Sequence, residues 1–146
     1  MQRVYPYGSG PVRLVSTDWV AERLREKKLM ILDCQPNVHD YIQEHNPGAV
    51  YLNENHFRYH VQNQPARFVG PEAADPVLRS AGLKADVPVV VYTGVGAAKG
   101  WGDGLEQTMV AYSLARYGHD NVFVLDGGLD KWKAEGKPLT NEYGTV

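Results

Sequence analysis

Short runs of apolar residues recur along the chain, and longer amphipathic or polar stretches separate them. The clearest runs are too short for helices and are bounded by charged or turn-forming residues; they cover residues 29–32, 49–52, 87–92 and 122–125. Runs that are apolar at every position are typical of strands buried on both faces, as in parallel sheets. The shorter apolar pair at residues 14–15 predicts a first strand.

The stretches between these runs predict helices. Ser16 or Thr17 is a suitable N-cap for the first helix, and a glycine follows several of the others. Residues 53–70 have no clear periodicity, so they are expected to form a loop with at most one helical turn. The predicted helices cover residues 17 to 25–28, 38–43, 71–81, 105–117 and 129–134.

Strands and helices therefore alternate, which predicts an α/β fold with a parallel sheet covered on both faces. In such sheets the usual binding crevice lies beyond the carboxyl ends of the strands. Three segments follow predicted strands and are expected at that edge: residues 33–35, the glycine-rich loop that begins at Thr93, and residues 126–128.

Composition narrows the class of protein. The 146 residues are 43% hydrophobic and 22% charged, which predicts one globular domain and excludes a disordered chain. The net charge is −2, so the sequence lacks the excess of basic residues that is typical of nucleic-acid-binding proteins. No apolar run approaches the roughly 20 residues of a membrane span. The first residues lack the apolar stretch of a signal peptide, and the single cysteine forms no internal disulfide, so a cytoplasmic location is expected.

Two motifs resemble signatures of the rhodanese family. Residues 41–50, Tyr-Ile-Gln-Glu-His-Asn-Pro-Gly-Ala-Val, are similar to its Tyr and Gly-His-Ile-Pro-Gly-Ala signature. Residues 124–132, Val-Leu-Asp-Gly-Gly-Leu-Asp-Lys-Trp, are similar to its closing motif, and Asp33 matches the Asp that ends its second strand. Residues 14–19 and 117–122 resemble the first domains of tandem thiosulfate/mercaptopyruvate sulfurtransferases.

The resemblance covers about residues 14–140. It implies a three-layer α/β domain with a parallel sheet of about five strands. Residues 1–13 are then expected to be an N-terminal extension that packs on the surface, and residues 141–146 a C-terminal tail.

The family transfers sulfane sulfur from donors such as thiosulfate to thiols or cyanide, through a persulfide on a Cys that opens the loop after the central strand. This chemistry requires a thiolate nucleophile. Here the sequence has Thr93 at that position, and alignment from the following helix places Trp101 there instead. Neither residue supplies a thiol, so the sequence predicts a domain without the standard sulfurtransferase nucleophile.

The loop itself remains a candidate anion site. Its candidate residues are Thr93, Gly94, Val95, Gly96, Lys99, Trp101 and Gly102. Lys99 is its one cation, whereas Asp103 and Glu106 place negative charge at the start of the next helix and compete with an external anion. The loop could bind a phosphate, a sulfur oxyanion or a nucleotide, or be an elongated loop left after function was lost. Trp101 could stack on a ligand or plug the vacant pocket.

The remaining candidates have both chemical and structural interpretations. Cys34 is the alternative nucleophile, although a buried apolar role is common for a free Cys. The resemblance implies that Asp33 and Asp126 hydrogen-bond the loop and that His45 fixes a turn, while Gln35 stands where many relatives have Arg. His56 and His60 have the i, i+4 spacing of a metal pair, but no further ligands are near, so surface positions are expected. His119 is expected to cap a helix end or to be exposed, and neither a metal nor a cofactor is predicted.

Three functions remain open. The leading one is a non-catalytic binding or regulatory module that engages a partner protein or a small anion. The second is a sulfurtransferase that uses Cys34. The third is the docking half of a split tandem enzyme, which would bind a Cys-bearing domain made separately.

Overall fold

The computed structural model describes residues 2–95 and 104–146. Its strands are β1 (Val12–Val15), β2 (Met30–Asp33), β3 (Val50–Tyr51), β4 (Arg58–Val61), β5 (Gln64–Phe68), β6 (Val89–Tyr92) and β7 (Val122–Leu125). Its helices are α1 (Thr17–Arg23), α2 (Val38–Gln43), α3 (Pro71–Ser80), α4 (Leu105–Arg116) and α5 (Gly128–Ala134), with a 3-10 helix at Glu54–Phe57.

Five strands form one parallel sheet in the order β1–β7–β6–β2–β3. Every residue of the neighbouring strands β6 and β7 is buried, as their continuous apolar runs predict. The α/β class and the five-stranded parallel sheet are therefore confirmed.

Helices cover both faces of this sheet, because alternate strand residues enter two separate cores. Val89 and Val91 of β6 belong to one core, which includes residues of α3 and α4. Val90 and Tyr92 belong to the other, which includes residues of α1, α2 and α5. The period of two along a strand thus produces the three layers.

The first helix ends earlier than the sequence predicts. Helix α1 ends at Arg23, and the basic stretch up to Lys28 forms a turn in which Lys27 has a φ of 51°. These residues are exposed beyond Leu24, so no apolar face holds them in a helix.

Residues 53–70 are not simply a loop, because β4 and β5 pair as an antiparallel hairpin after the 3-10 helix. Most of its side chains are exposed, and its turn uses Gln62 and Asn63 at positive φ. Because most side chains of this hairpin are exposed, its strands lack the alternation of apolar and polar residues that predicts a strand.

Both terminal segments contact the domain. Tyr7 forms an antiparallel bridge with Leu14, and β1 begins at Val12, inside the segment assigned to the extension. Near the other end, Thr140 forms a bridge with His45. Within the described part of the chain, no helix is long and apolar enough to cross a membrane.

Candidate functional site

The three segments predicted to meet at the carboxyl edge of the sheet do meet there. They follow β2, β6 and β7, which are neighbours in the parallel sheet. The backbone N–H of Cys34 donates to Tyr92 O at 2.8 Å, and that of Leu129 donates to Thr93 O at 2.9 Å. The carboxyl edge therefore forms one hydrogen-bonded unit.

Gly128 allows the turn after β7 to approach the start of the loop closely. It has a φ of +60°, and a Cβ at this position would lie 2.5 Å from Thr93 O. A side chain here would therefore meet a backbone oxygen that cannot move freely. This contact gives a physical reason for the second glycine of the Asp-Gly-Gly motif.

Side chains already occupy two backbone donors at the start of the loop. Thr93 N–H donates to Gln107 Oε1 at 3.1 Å, and Val95 N–H donates to Asp130 Oδ2 at 3.0 Å. Backbone N–H groups used in this way are not free to hold an anion. Gln107 and Asp130 were not singled out from the sequence, where the available signal was only a polar residue in the first turn of each helix.

Thr93 is one of the two positions at which the resemblance implies a nucleophile, and the other, Trp101, lies outside the described residues. Thr93 is 3% exposed, and its Oγ1 has no hydrogen-bond partner among the described residues. A threonine hydroxyl requires an adjacent base to become nucleophilic, and no described group fills that role. Gly96, Lys99, Trp101 and Gly102 lie outside the described residues, so their part in anion binding stays a prediction.

Cys34 lies inside the core rather than in the crevice. It is 1% exposed and packs with Leu32, Leu52 and Phe57 in the core on the α3–α4 face. Its Sγ lies 3.7 Å from Leu32 O. Burial, followed by the charge of Asp33, raises the pKa of the Cys34 thiol well above its usual value, so the thiolate is disfavoured.

Asp33 organises a buried network next to Cys34. Its carboxylate accepts from Tyr92 O–H at 2.5 Å and from the backbone and side-chain N–H groups of Gln35 at 3.0 and 2.9 Å. Tyr92 Oη in turn accepts from the Asn46 backbone N–H at 3.1 Å. These bonds tie together β2, β6 and the turn after α2.

Burial raises the pKa of Asp33 above its usual range, although the hydrogen bonds from Tyr92 and Gln35 oppose the shift. Burial also raises the pKa of Tyr92 well above its usual value, so this side chain keeps the proton that it donates. Asp33 thus positions Tyr92 and the segment after β2. Among the described residues, its carboxylate makes no hydrogen bond to the loop that begins at Thr93.

Asp126 binds the N-terminal segment. Its Oδ2 accepts from Tyr5 O–H at 2.6 Å and from the Arg3 guanidinium at 2.7 Å. The hydrogen bond from Tyr5 is the main cause that holds the pKa of Asp126 below its usual range. The bond from Asp126 to the loop backbone that the resemblance implies is not among the contacts of the described residues.

His45 joins α2 to the C-terminal segment. The residue is fully buried, its Nδ1 lies 2.6 Å from Tyr41 O, and its Nε2 lies 2.7 Å from Glu142 O. The ring also stacks on Tyr41, with 3.9 Å between centroids. These contacts hold the turn at Asn46 against the end of the chain.

The other histidines have structural or exposed positions. His119 is buried, so the expectation of an exposed position is wrong, but its backbone N–H donates to Leu114 O at 3.0 Å at the end of α4, in keeping with the capping alternative. Its Nε2 lies 3.0 Å from Val87 O, and its Nδ1 accepts from the Asn121 N–H at 3.2 Å. His56 and His60 are exposed, on the 3-10 helix and β4 respectively. Within residues 2–95 and 104–146, no group of three or more His, Cys, Asp or Glu side chains could hold a metal.

Carboxylates dominate the cavities at the carboxyl edge. A cavity of about 410 Å³ is lined in part by Asp40, Glu54 and Glu106, and its described lining includes no Lys, Arg or His. A neighbouring cavity of about 190 Å³ has Lys133 as its one described cation, and this lysine pairs with Glu44. Carboxylates therefore outnumber cations in the described walls of these two cavities, although Glu54 is paired with Arg58 at 3.0 Å.

The comparisons with known proteins agree with this architecture. The family model for the rhodanese-like domain matches residues 16–135, and the chain belongs to the rhodanese family. A "Putative thiosulfate sulfurtransferase" of Synechococcus elongatus is 38% identical over 132 residues, which are 90% of this chain and 39% of that protein. The sulfur carrier protein TtuD of Thermus thermophilus is 32% identical over 134 residues, 90% of this chain and 43% of that protein.

Solved structures show the same fold. The crystal structure of SseA from Escherichia coli, described as a 3-mercaptopyruvate sulfotransferase, has a TM-score of 0.75 and 26% identity, and the match covers 91% of this chain and 51% of SseA. The chain thus spans about two fifths of the curated relatives and half of SseA.

Proposed function

We propose that this rhodanese-family domain carries no persulfide of its own and acts as a binding module for a partner protein, through the carboxyl edge of its sheet. The carrying observation is the position of the only cysteine in the sequence, Cys34, inside the core. Sulfur transfer of the family type requires a thiolate that a small donor can reach.

Three further features support this proposal. Thr93 lies at one of the two expected nucleophile positions, and the Thr93 and Val95 N–H groups donate to side chains of this same domain. The described cavity walls at this edge are rich in carboxylates. A partner protein with polar or basic side chains suits this edge better than thiosulfate does, because thiosulfate would be repelled.

Intact-mass spectrometry of the folded protein after thiosulfate treatment tests the proposal. We expect no mass increase equal to one sulfur atom, and slow alkylation of Cys34 until the protein is unfolded in denaturant. A rhodanese with a loop cysteine serves as the positive control, and Cys34→Ala as the matched blank. A stoichiometric persulfide on Cys34 would overturn the proposal.

The alternative of a sulfurtransferase that works through Cys34 requires the thiol to become accessible. The burial of Cys34 and its raised pKa weigh against this alternative. The thiosulfate:cyanide assay separates the two: activity that disappears in Cys34→Ser would favour the alternative, whereas activity retained in that variant would exclude it.

A second candidate is the docking half of a two-domain sulfurtransferase. The resemblance of residues 14–19 and 117–122 to the first domains of tandem sulfurtransferases supports it. The partner would be a rhodanese domain whose loop carries a Cys. Tagged protein recovered from its own source should bring down such a domain in equal amount, and repeated recovery without one would count against this candidate.

A further inference from the structure

A separate cavity lies near the amino-terminal ends of β1 and β7, away from the loop at Thr93. It has a volume of about 290 Å³, which is at the small end for ligand sites. Residues of β1, α1, the following turn and β7 supply the walls that matter here: Arg13, Trp19, Arg23, Lys28, Leu29 and Phe123.

Aromatic and aliphatic side chains supply an apolar surface in this cavity. Trp19 and Phe123 are in contact, with 5.0 Å between ring centroids and an angle of 52° between planes. Leu29 and Pro88 extend the apolar lining. Apolar walls with a few fixed polar groups are typical of small-molecule sites.

Positive charge lies directly beside this apolar surface. The Arg13 guanidinium carbon is 4.9 Å from the Phe123 centroid, and that of Arg23 is 4.0 Å from the Trp19 centroid. Lys28 adds a third cation, and Glu26 is the one carboxylate among the described lining residues. The excess of cations contrasts with the net charge of −2 of the whole chain and with the acidic carboxyl edge.

Some donors of these cations are unused. Arg13 Nη2 donates to Asn121 Oδ1 at 2.8 Å, but the buried Arg13 Nε has no partner among the described residues. An unpaired buried donor is rare in folded proteins, so the guanidinium has hydrogen-bonding capacity left. The turn that brings Lys28 to the cavity has Lys27 in the left-handed region, at a φ of 51°.

We propose that this cavity binds a small organic anion, with a carboxylate or phosphate bound by Arg13 and Lys28 and an apolar body against the half-buried Trp19 and Leu29. Guanidinium groups recognise such oxyanions through paired hydrogen bonds, and aromatic walls bind the body of the ligand. The site does not depend on the proposed function of the carboxyl edge, and either can fail without the other.

Nuclear magnetic resonance titration with 2-naphthoate, an aromatic carboxylate of suitable size, tests the proposal. We expect saturable shifts of the assigned Trp19 indole N–H signal. The neutral 2-naphthamide should bind about fivefold more weakly or worse, because it lacks the charge. Equal binding of the two probes, or no change at Trp19, would exclude the site.

Variants that remove one positive charge provide a second test of the proposed site. Lys28→Gln should weaken 2-naphthoate binding by about threefold or more, and Arg13→Gln by more than that. Lys28 is exposed, so this variant is expected to fold even if Arg13→Gln does not. Lys84→Gln removes the same charge outside the cavity and should leave binding unchanged. Equal losses in Lys28→Gln and Lys84→Gln would mean non-specific attraction and would overturn the proposal.

Discussion

At the end of β2, two adjacent side chains lie on opposite faces of the sheet. One enters a hydrogen-bond network and the other an apolar core. Asp33 reaches Tyr92 and Gln35, whereas Cys34 packs beside Leu52 in the core on the other face. Sequence position alone predicts that both lie near the crevice. The alternation of an extended backbone separates them, and only the three-dimensional register shows which of the two is buried in apolar surroundings.

The raised pKa of Asp33 predicts a specific pH dependence of stability. A carboxyl whose folded-state pKa is raised contributes stability that is complete below the unfolded pKa and is lost as pH rises through the folded pKa. The free energy of unfolding of Asp33→Asn, relative to the wild type, should therefore increase as pH rises from about 4 towards 7. Urea unfolding across this range measures the difference.

Asp126→Asn is the matched control, because the pKa of Asp126 is lowered by Tyr5 and Arg3. A carboxyl of this kind contributes stability that is present above its unfolded pKa and is lost as pH falls through its folded pKa. The stability of this variant relative to the wild type should therefore stay nearly constant from about pH 5 to 7 and increase only as pH falls below about 4. In both cases the measured quantity is the slope of the relative free energy of unfolding against pH. The loss of a hydrogen-bond acceptor also changes the free energy of unfolding itself, at every pH. Parallel slopes for the two variants would contradict the assignment of Asp33.

Among the elements, the start of α5 binds the start of the loop that follows β6. The Leu129 N–H donates to Thr93 O, and Asp130 accepts from the Val95 N–H. Helix α4 contributes Gln107 to the same backbone. Residues 93–95, the described start of the loop, are therefore hydrogen-bonded to both helices.

Gly128→Ala should destabilise the protein by about 2–4 kcal/mol, because it adds a positive-φ penalty and a clash with Thr93 O. Gly136→Ala provides the comparison: this glycine also has a positive φ, of +69°, but no atom lies within 4 Å of the added Cβ. Its cost should be only about 1 kcal/mol. Urea unfolding compares the two, and equal costs would mean that the contact with Thr93 is unimportant.

Strands were predicted correctly where burial produces a continuous apolar run in the sequence. They were missed where most of the side chains are exposed. The apolar run of β7 predicts its bounds, and helix α3 begins at Pro71 as predicted and tolerates Pro76 inside it. The hairpin of β4 and β5 was missed because it is largely exposed. Phe68 of β5 packs against Tyr112 of α4, a contact that no local sequence pattern reveals.

For the whole molecule, the C-terminal segment is bound to the domain by several contacts. Glu142 O faces His45, and Tyr41 Oη accepts from the Gly144 N–H at 3.4 Å. The Tyr143 ring stacks on Tyr41, with 6.1 Å between centroids. These contacts make the residues beyond Thr140 a structural part of the surface around α2.

Deletion of residues 141–146 should lower the free energy of unfolding by about 1–3 kcal/mol, because His45 loses the carbonyl that faces Nε2 inside the protein. Glu142→Ala keeps that carbonyl and should be close to neutral. Thermal and urea unfolding of the two variants provide the measurement. A deletion variant as stable as the full chain would show that the segment does not contribute.

The location of the candidate site was predictable from the sequence, but the hydrogen-bond partners of its side chains were not. Strand ends and motif order place Asp33, Thr93 and Asp126 at one edge from sequence alone. The contacts of Asp126 with Tyr5 and of His45 with Glu142 join residues about a hundred positions apart. Such pairings depend on how the terminal segments cross the finished sheet, which local propensity does not encode.

The strand order also has a consequence for synthesis. Within the sheet β1 pairs with β7 alone, and β7 is the last strand of the chain. Of the five strands of this sheet, β1 is synthesised first and has no sheet neighbour until β7 has been made. Strand pairing in the sheet can therefore start among β2, β3 and β6, whereas β1 joins only once β7 is present.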